Sequence, residues 1–242
     1  MTHPFLWAHR GASCCAPENT LAAFFEAIAS GADGIELDIH LSRDGVPVVI
    51  HDDTLDRTTD GCGAVGSETL QQLQRLDAGS WFAAEFAGET IPTLDVVMES
   101  FAGRLRLNLE IKELGAGMAV LELLSRYPSA DIVISSFDYA LLYRLRAADP
   151  GLPIAVLCDS SSWRCALQVA RDLSACAFHP AADHVSRPMI AACRQTGLPV
   201  FAWTVDEVDA ARSLMRAGVA GFFTNVPMTL KAALRFPVHV AQ

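Results

Sequence analysis

Through the second half of this 242-residue chain, strand-like runs return every 21 to 24 residues. They begin near Ile132 (IVISSF), Pro153 (PIAVLC), Ala175 (ACAFHP), Pro199 (PVFAWTV) and Gly221 (GFFTN), and each is short, apolar and rich in β-branched or aromatic residues. Between them lie helical patterns at 140–148, 162–173, 185–196 and 206–217. Gly197 and Gly218 stand where glycines close helices, and Pro188 suits a first helical turn. A strand–helix period of this length means βα units laid side by side in a parallel sheet.

The first half adds strands at 5–9 (FLWAH), 34–41 (GIELDIHL) and 105–112 (LRLNLEIK), with helices predicted over 20–30 and 93–101. PVVIHD (47–52) reads as a further strand, but Ser42-Arg43-Asp44-Gly45 is too short for a parallel crossover. Asp-Gly between apolar runs signals a hairpin instead. Eight parallel strands then remain, and the expected fold is an α/β (β/α)8 TIM barrel over 1–242, with the hairpin above its C-terminal mouth. A two-residue turn at Asp44-Gly45 sets Asp38 opposite His51, while a bulged turn moves every pair by one. Residues 52–92, rich in Gly, Thr and Asp with one short helix near 68–76, read as an insertion over the mouth.

Composition narrows the function classes. Half the residues are hydrophobic (51%) and 19% are charged, which excludes a disordered chain. A net charge of -10 argues against nucleic acid or an anionic membrane as partner. No apolar run is long enough to span a bilayer, so stable membrane insertion is not expected. Seven cysteines without a C-x-x-C pair indicate neither a zinc knuckle nor a disulfide framework, and the expected location is the cytoplasm. Cys14 and Cys15 read as small loop residues.

Residues two apart on a strand share a face. Glu36, Asp38 and His40 therefore point one way, and Asn108, Glu110 and Lys112 repeat the pattern. Because the other face packs under helices, these polar sets face the barrel interior, where carboxylates are costly unless paired or metal-bound. Glu36, Asp38 and Glu110 form an all-oxygen set suited to Mg²⁺ or Ca²⁺; the competing reading is a salt-bridge network with Lys112 and Arg10. His9 and His51, at strand ends above the acids, suit a general acid and a general base. Arg10 and Lys112 can neutralise a phosphate. Trp203, at the end of its strand, can wall a substrate. His40, His179 and His184 read as structural or surface groups.

The segments HRGASCCAPENTLAAF (9–24), GIELDIHLSRDGVPVVIHDDTLDRTTDGCG (34–63), LDAGSWF (76–82), GETIPTLDVVM (88–98), LNLEIK (107–112), ISSF (134–137) and GLPVFAWTVD (197–206) together resemble the glycerophosphodiester phosphodiesterases, which share the phospholipase-C-like barrel. The resemblance implies an enzyme of glycerol and lipid metabolism that hydrolyses small glycerophosphodiesters, such as glycerophosphocholine or glycerophosphoethanolamine, to sn-glycerol 3-phosphate and an alcohol. It implies Glu36, Asp38 and Glu110 as metal ligands, and His9 and His51 as the acid–base pair. Arg10 and Lys112 then serve the phosphate, and Trp203 the glycerol. A lysophospholipase D activity on lysophospholipids and a non-catalytic phosphodiester-binding paralogue are the alternatives. The chain departs from the family's WTVN and TD-x-P at Asp206 and Asn225; both positions are expected to cap helices with little loss.

Overall fold

A computed structural model describes residues 3–234. Eight parallel strands form the barrel: β1 (Phe5–His9), β2 (Gly34–Leu41), β4 (Arg106–Ile111), β5 (Ile132–Ser136), β6 (Ile154–Cys158), β7 (Ala177–Pro180), β8 (Phe201–Ala202) and β9 (Gly221–Thr224). Their order runs β7-β6-β5-β4-β2-β1-β9-β8. Parallel bridges from Phe178 to Val200 and from Ala181 to Trp203 join β7 to β8 and bring the ring round. The expected TIM barrel is therefore the observed fold.

Around it lie α1 (Leu21–Ala29), α3 (Leu94–Phe101), α4 (Ala116–Leu124), α5 (Tyr139–Ala148), α6 (Trp163–Asp172), α7 (Arg187–Gln195), α8 (Val208–Ala217) and α9 (Pro227–Leu234). Short polar side chains start four of them. Thr20, Thr93, Asp138 and Ser186 each accept a backbone N–H from the first turn of α1, α3, α5 and α7. Two helices carry weaker signals. Gly115 gives α4 no side-chain cap, and Gly117 weakens its helical pattern but is needed there, because a Cβ would sit 2.5 Å from Leu141. The pattern for α9 is short, and its clearest mark is Pro227 in the first turn. Among the described residues no helix is long and apolar enough to cross a membrane.

The hairpin is real but its register is the bulged one. β3 (Pro47–Val49) runs antiparallel to β2, with Leu41 opposite Pro47 and Ile39 opposite Val49. Ser42 receives the N–H of Gly45 and donates its own to Val46, closing a three-residue loop in which Gly45 takes φ +80°. A left-handed residue at that place is what a three-residue loop requires. Asp38 consequently faces Ile50, whose N–H donates to the Asp38 carbonyl at 3.1 Å, rather than His51.

Residues 52–92 fold over this side with a small core of Val48, Ile50, Leu55, Val65, Leu73, Ala78 and Ile91. The helix expected at 68–76 is only α2 (Leu70–Leu73), opened by a reciprocal cap between Thr69 and Gln72. Asp77 then takes over the chain: its carboxylate accepts N–H groups from Gly79, Ser80 and Gly88.

Alternation along the strands sorts the interior from the helix layer. Ile35, Leu37, Ile39, Leu107, Leu109 and Ile111 lie fully buried under the helices. Inside, the floor is filled by Trp7, Val133, Ala155, Ala177, Phe201 and Phe223. Trp7 and Phe223 stack at 5.7 Å, and Gly34 leaves room for the indole: a Cβ there would lie 2.5 Å from it. Above this floor the same strands turn polar.

Candidate active site

β1 ends in His9-Arg10-Gly11, and the chain turns sharply. Arg10 is left-handed at φ 58° and Gly11 at φ 84°. A Cβ on Gly11 would run into Ala23 at 2.6 Å, so no larger residue fits. Arg10 holds its uncommon backbone because its N–H donates to Glu36 Oε2 at 2.9 Å and its carbonyl accepts from Asn19 N at 2.9 Å. Strain of this kind survives only where neighbours over-determine it, and it aims the guanidinium at the acids.

Glu36 and Asp38 from β2 and Glu110 from β4 meet inside the mouth, each offering an oxygen within 4.8 Å of the others. Parallel register places Asp38 beside Glu110 and Glu36 beside Asn108. Lys112 Nζ donates to Glu110 at 2.6 Å and to Asp38 at 3.2 Å, while Arg10 Nε lies 3.4 Å from Asp38. The salt-bridge network anticipated as the alternative is thus present, but it does not balance. Three carboxylates face two cations, and Glu36 Oε1 is buried with no hydrogen-bond partner. Burial, then Asp38 and Glu110, pushes the Glu36 carboxyl well above its usual range. Burial and Asp38 likewise raise Glu110 to about 7, against the pull of Lys112. For Asp38 burial works upward too, yet Lys112 and Arg10 hold it below the ordinary carboxylate range. A hard divalent cation fits this set: all-oxygen donors, an unpartnered buried oxygen and one uncompensated charge.

The two histidines flank the cluster, and each is tethered through Nδ1. His9 Nδ1 lies 2.8 Å from Asn225 Oδ1, and His51 Nδ1 lies 2.6 Å from Asp52 Oδ1. Burial lowers both rings from the usual histidine value, with Arg10 adding to the effect and the Nδ1 partners opposing it. His51 stands just past the hairpin strand, and His40 holds its carbonyl at 3.2 Å. His40 is therefore structural as expected, but structural to the site.

A cavity of about 250 Å³ connects these groups. His9, Arg10, Glu36, His51, Glu110 and Lys112 line one side; Phe137, Leu157, Trp203 and Phe223 line the other. Trp203 is steadied by donating to the His179 carbonyl at 2.8 Å and packs edge-on against Phe137 at 5.6 Å. Every sequence-predicted site residue except Asp38 borders this space, and Asp38 sits just beneath it, 1% exposed.

The sequence reading missed the groups that hold the site in place. Asn19 donates to Asp38 Oδ2 at 2.8 Å. Glu18 accepts from Arg10 and from Arg57, and Arg57 also clamps Asp52, the partner of His51. Those bonds, above all the one from Arg57, hold Asp52 below the usual carboxylate range. Thus a residue of the insertion fastens one histidine. Adjacency was the available signal: Glu18 and Asn19 stand in the PENT run, and Asp52 follows His51. Asp206 and Asn225 cap no helix; they bond to each other, at 2.7 Å from Asn225 Nδ2 to Asp206 Oδ2.

The sequence profile of the Glycerophosphoryl diester phosphodiesterase family matches residues 9–229. A glycerophosphodiester phosphodiesterase of Caldanaerobacter subterraneus is 39% identical over 233 residues, covering 92% of this chain and 94% of that one. Among solved structures, an Oleispira antarctica phosphodiesterase in complex with the product sn-glycerol-3-phosphate superposes with a TM-score of 0.89 at 32% identity, over 97% of this chain and 98% of that one. A glycerophosphodiester phosphodiesterase from Agrobacterium tumefaciens gives a TM-score of 0.84 at 32% identity, over 96% and 100%.

Proposed function

This chain belongs to the glycerophosphoryl diester phosphodiesterase family, a family of hydrolases, and we propose that it cleaves small glycerophosphodiesters to sn-glycerol 3-phosphate and an alcohol with His9 and His51 as its acid–base pair. The observation that carries the reading is one cavity bordered by two Nδ1-tethered histidines, two cations and a carboxylate cluster short of positive charge. The product seen in the Oleispira relative supports the glycerol 3-phosphate side of the substrate.

Glu36, Asp38 and Glu110 would hold a Mg²⁺ or Ca²⁺ ion, which when bound supplies positive charge against the phosphodiester oxygens. Arg10 and Lys112 add charge to the same phosphate, Arg as a fork and Lys as a point. Each histidine keeps its Nδ1 proton on its tether, so Nε2 is the atom that exchanges protons with substrate. One Nε2 takes the proton from the attacking oxygen, which is the glycerol 2-hydroxyl or a water. The other enters as the imidazolium, protonated on both nitrogens, and delivers its Nε2 proton to the leaving alcohol. Trp203 and Phe137 exclude water from the glycerol side and hold its carbon face.

The test is release of glycerol 3-phosphate from glycerophosphocholine, by wild type, by chelated enzyme and by His51→Ala. Both treatments should cost about 10²–10⁴-fold in rate, the usual contribution of an acid–base group. Near-wild-type release by the chelated enzyme or by the variant would overturn the metal or the histidine assignment respectively.

A further inference from the structure

Around His9 the hydrogen bonds form a chain that fixes which end of the Asn225 amide faces the ring. Asp206, just past β8, accepts from Thr224 Oγ1 at 2.9 Å and from Asn225 N at 2.7 Å through Oδ1, and from Asn225 Nδ2 at 2.7 Å through Oδ2. A carboxylate accepts and an amide nitrogen donates, so the ends of the Asn225 side chain are not interchangeable here. Its Oδ1 must be the atom that lies 2.8 Å from His9 Nδ1 and 2.9 Å from Ser13 Oγ. An amide oxygen can only accept. His9 therefore carries its proton on Nδ1, and the neutral ring presents a bare Nε2.

We propose that Asp206 and Asn225 are positioning residues that set the tautomer of His9: Asp206 orients the amide, and the amide orients the proton. The proposal rests on the reading of His9 as an acid–base group. It also makes the two departures from the family motif a single feature. Acid and amide have changed places, and they remain complementary because each still faces the other.

The arrangement predicts an outcome that a merely structural role does not. In Asp206→Asn, one side-chain atom must stay an oxygen to receive Thr224 and the Asn225 backbone N–H, so the other becomes an NH₂ group facing Asn225 Nδ2. Two donors cannot share that contact. The Asn225 amide turns over, offers Nδ2 to His9 Nδ1 and forces that nitrogen to accept, which moves the ring proton to Nε2. Adding Asn225→Asp restores an acceptor on both sides.

The experiment combines kinetics with ¹⁵N NMR of the imidazole nitrogens, with His9 assigned by the signal lost in His9→Ala. Wild type should show the Nδ1–H tautomer. Asp206→Asn should show Nε2–H, with kcat down about 10²-fold or more and KM changed by less than about threefold, since a wrong tautomer removes the proton acceptor but not the binding contacts. The Asp206→Asn/Asn225→Asp double variant should recover the tautomer and come within about tenfold of wild-type kcat. Asn225→Ala, which removes the acceptor without adding a donor, should give mixed tautomers and serves if Asp206→Asn does not fold. An unchanged His9 tautomer in the single variants, or a wild-type kcat in Asp206→Asn, overturns the proposal. Full turnover by His9→Ala would instead overturn the acid–base reading of His9 and would leave the tautomer result standing on its own.

Discussion

The floor and the mouth of the barrel are built from the same eight strands and bury their side chains in opposite ways. On the floor, Phe201 and Phe223 pack edge-on against His179, which is 1% exposed, has no partner on either ring nitrogen and is driven down to about 3 by burial and then Arg106. At the mouth, one or two residues further along the strands, Glu36 and Asp38 are as deeply buried, but charged neighbours surround them. Burial alone makes an ionisable group neutral; burial among counter-charges that fall one short makes a cation-seeking site. The two layers therefore place their cost differently. The floor is destabilised only in acid, whereas the mouth, where burial and then the neighbouring carboxylates disfavour an ionised Glu36, is destabilised as pH rises.

The largest effect should come from Glu36→Gln, which removes the uncompensated carboxylate. Turnover should fall at least about 10²-fold as a ligand is lost, while the chelated protein becomes more stable by about 1–3 kcal/mol. Because the folded pKa of Glu36 lies above its unfolded value, the native state binds more protons through that window, and wild-type stability drops as pH rises. Urea unfolding in chelator should thus show the gain growing as pH rises from the ordinary carboxylate range toward neutrality. A variant less stable than wild type at neutral pH would mean that ionising Glu36 costs the fold nothing.

His179→Leu tests the floor with the opposite sign. The folded pKa of His179 is depressed to about 3, so the unfolded chain binds the extra proton between that value and 6.5, and stability is lost as pH falls through this range. At about 1.4 kcal/mol per pH unit, wild type should lose up to about 4 kcal/mol between pH 7 and pH 3 on this account. The leucine variant should show a flatter acid limb in urea unfolding at matched pH and keep turnover within about threefold. An unchanged acid limb would assign that loss elsewhere.

The smallest effect asks whether the layers are separable. In Gly34→Ala the new Cβ meets the Trp7 ring at 2.5 Å, a crowding worth about 1–3 kcal/mol of stability. Thermal unfolding should register it, and kcat at a temperature where the variant is folded should stay within about tenfold of wild type. A loss of 10²-fold or more in the folded variant would show that floor packing sets the geometry of the acids above it.

Much of this was legible in the chain because it is local. Two-residue alternation put Glu36, Asp38 and Glu110 on the inner face, the 22-residue period announced a parallel sheet, and the count of eight strands closed it into a barrel. Where local signals were weak the reading slipped. The Asp-Gly turn permits two registers, and only the left-handed Gly45 with its Ser42 contacts selects the one that sets Asp38 against Ile50. Val205, two residues beyond the cavity-lining Trp203, joins the helix-side core, because β8 ends at Ala202 and strand alternation ends with it. The partner of His9 and the contacts that clamp Asp52 beside His51 were out of reach for another reason. Asn225 lies 216 residues from His9, and Arg57 reaches Glu18 across 39.

Strand and helix periods, hairpin composition and the types of residue at strand ends depend on neighbours in the chain, so the sequence by itself determined the (β/α)8 architecture and which side chains border its mouth. Charge balance and proton position depend on what closure of the ring brings within hydrogen-bond distance. Only the tertiary structure could decide that three carboxylates meet two cations, that Asp52 and Asn225 hold the histidines, and that Asp206 and Asn225 act on each other rather than on their helices.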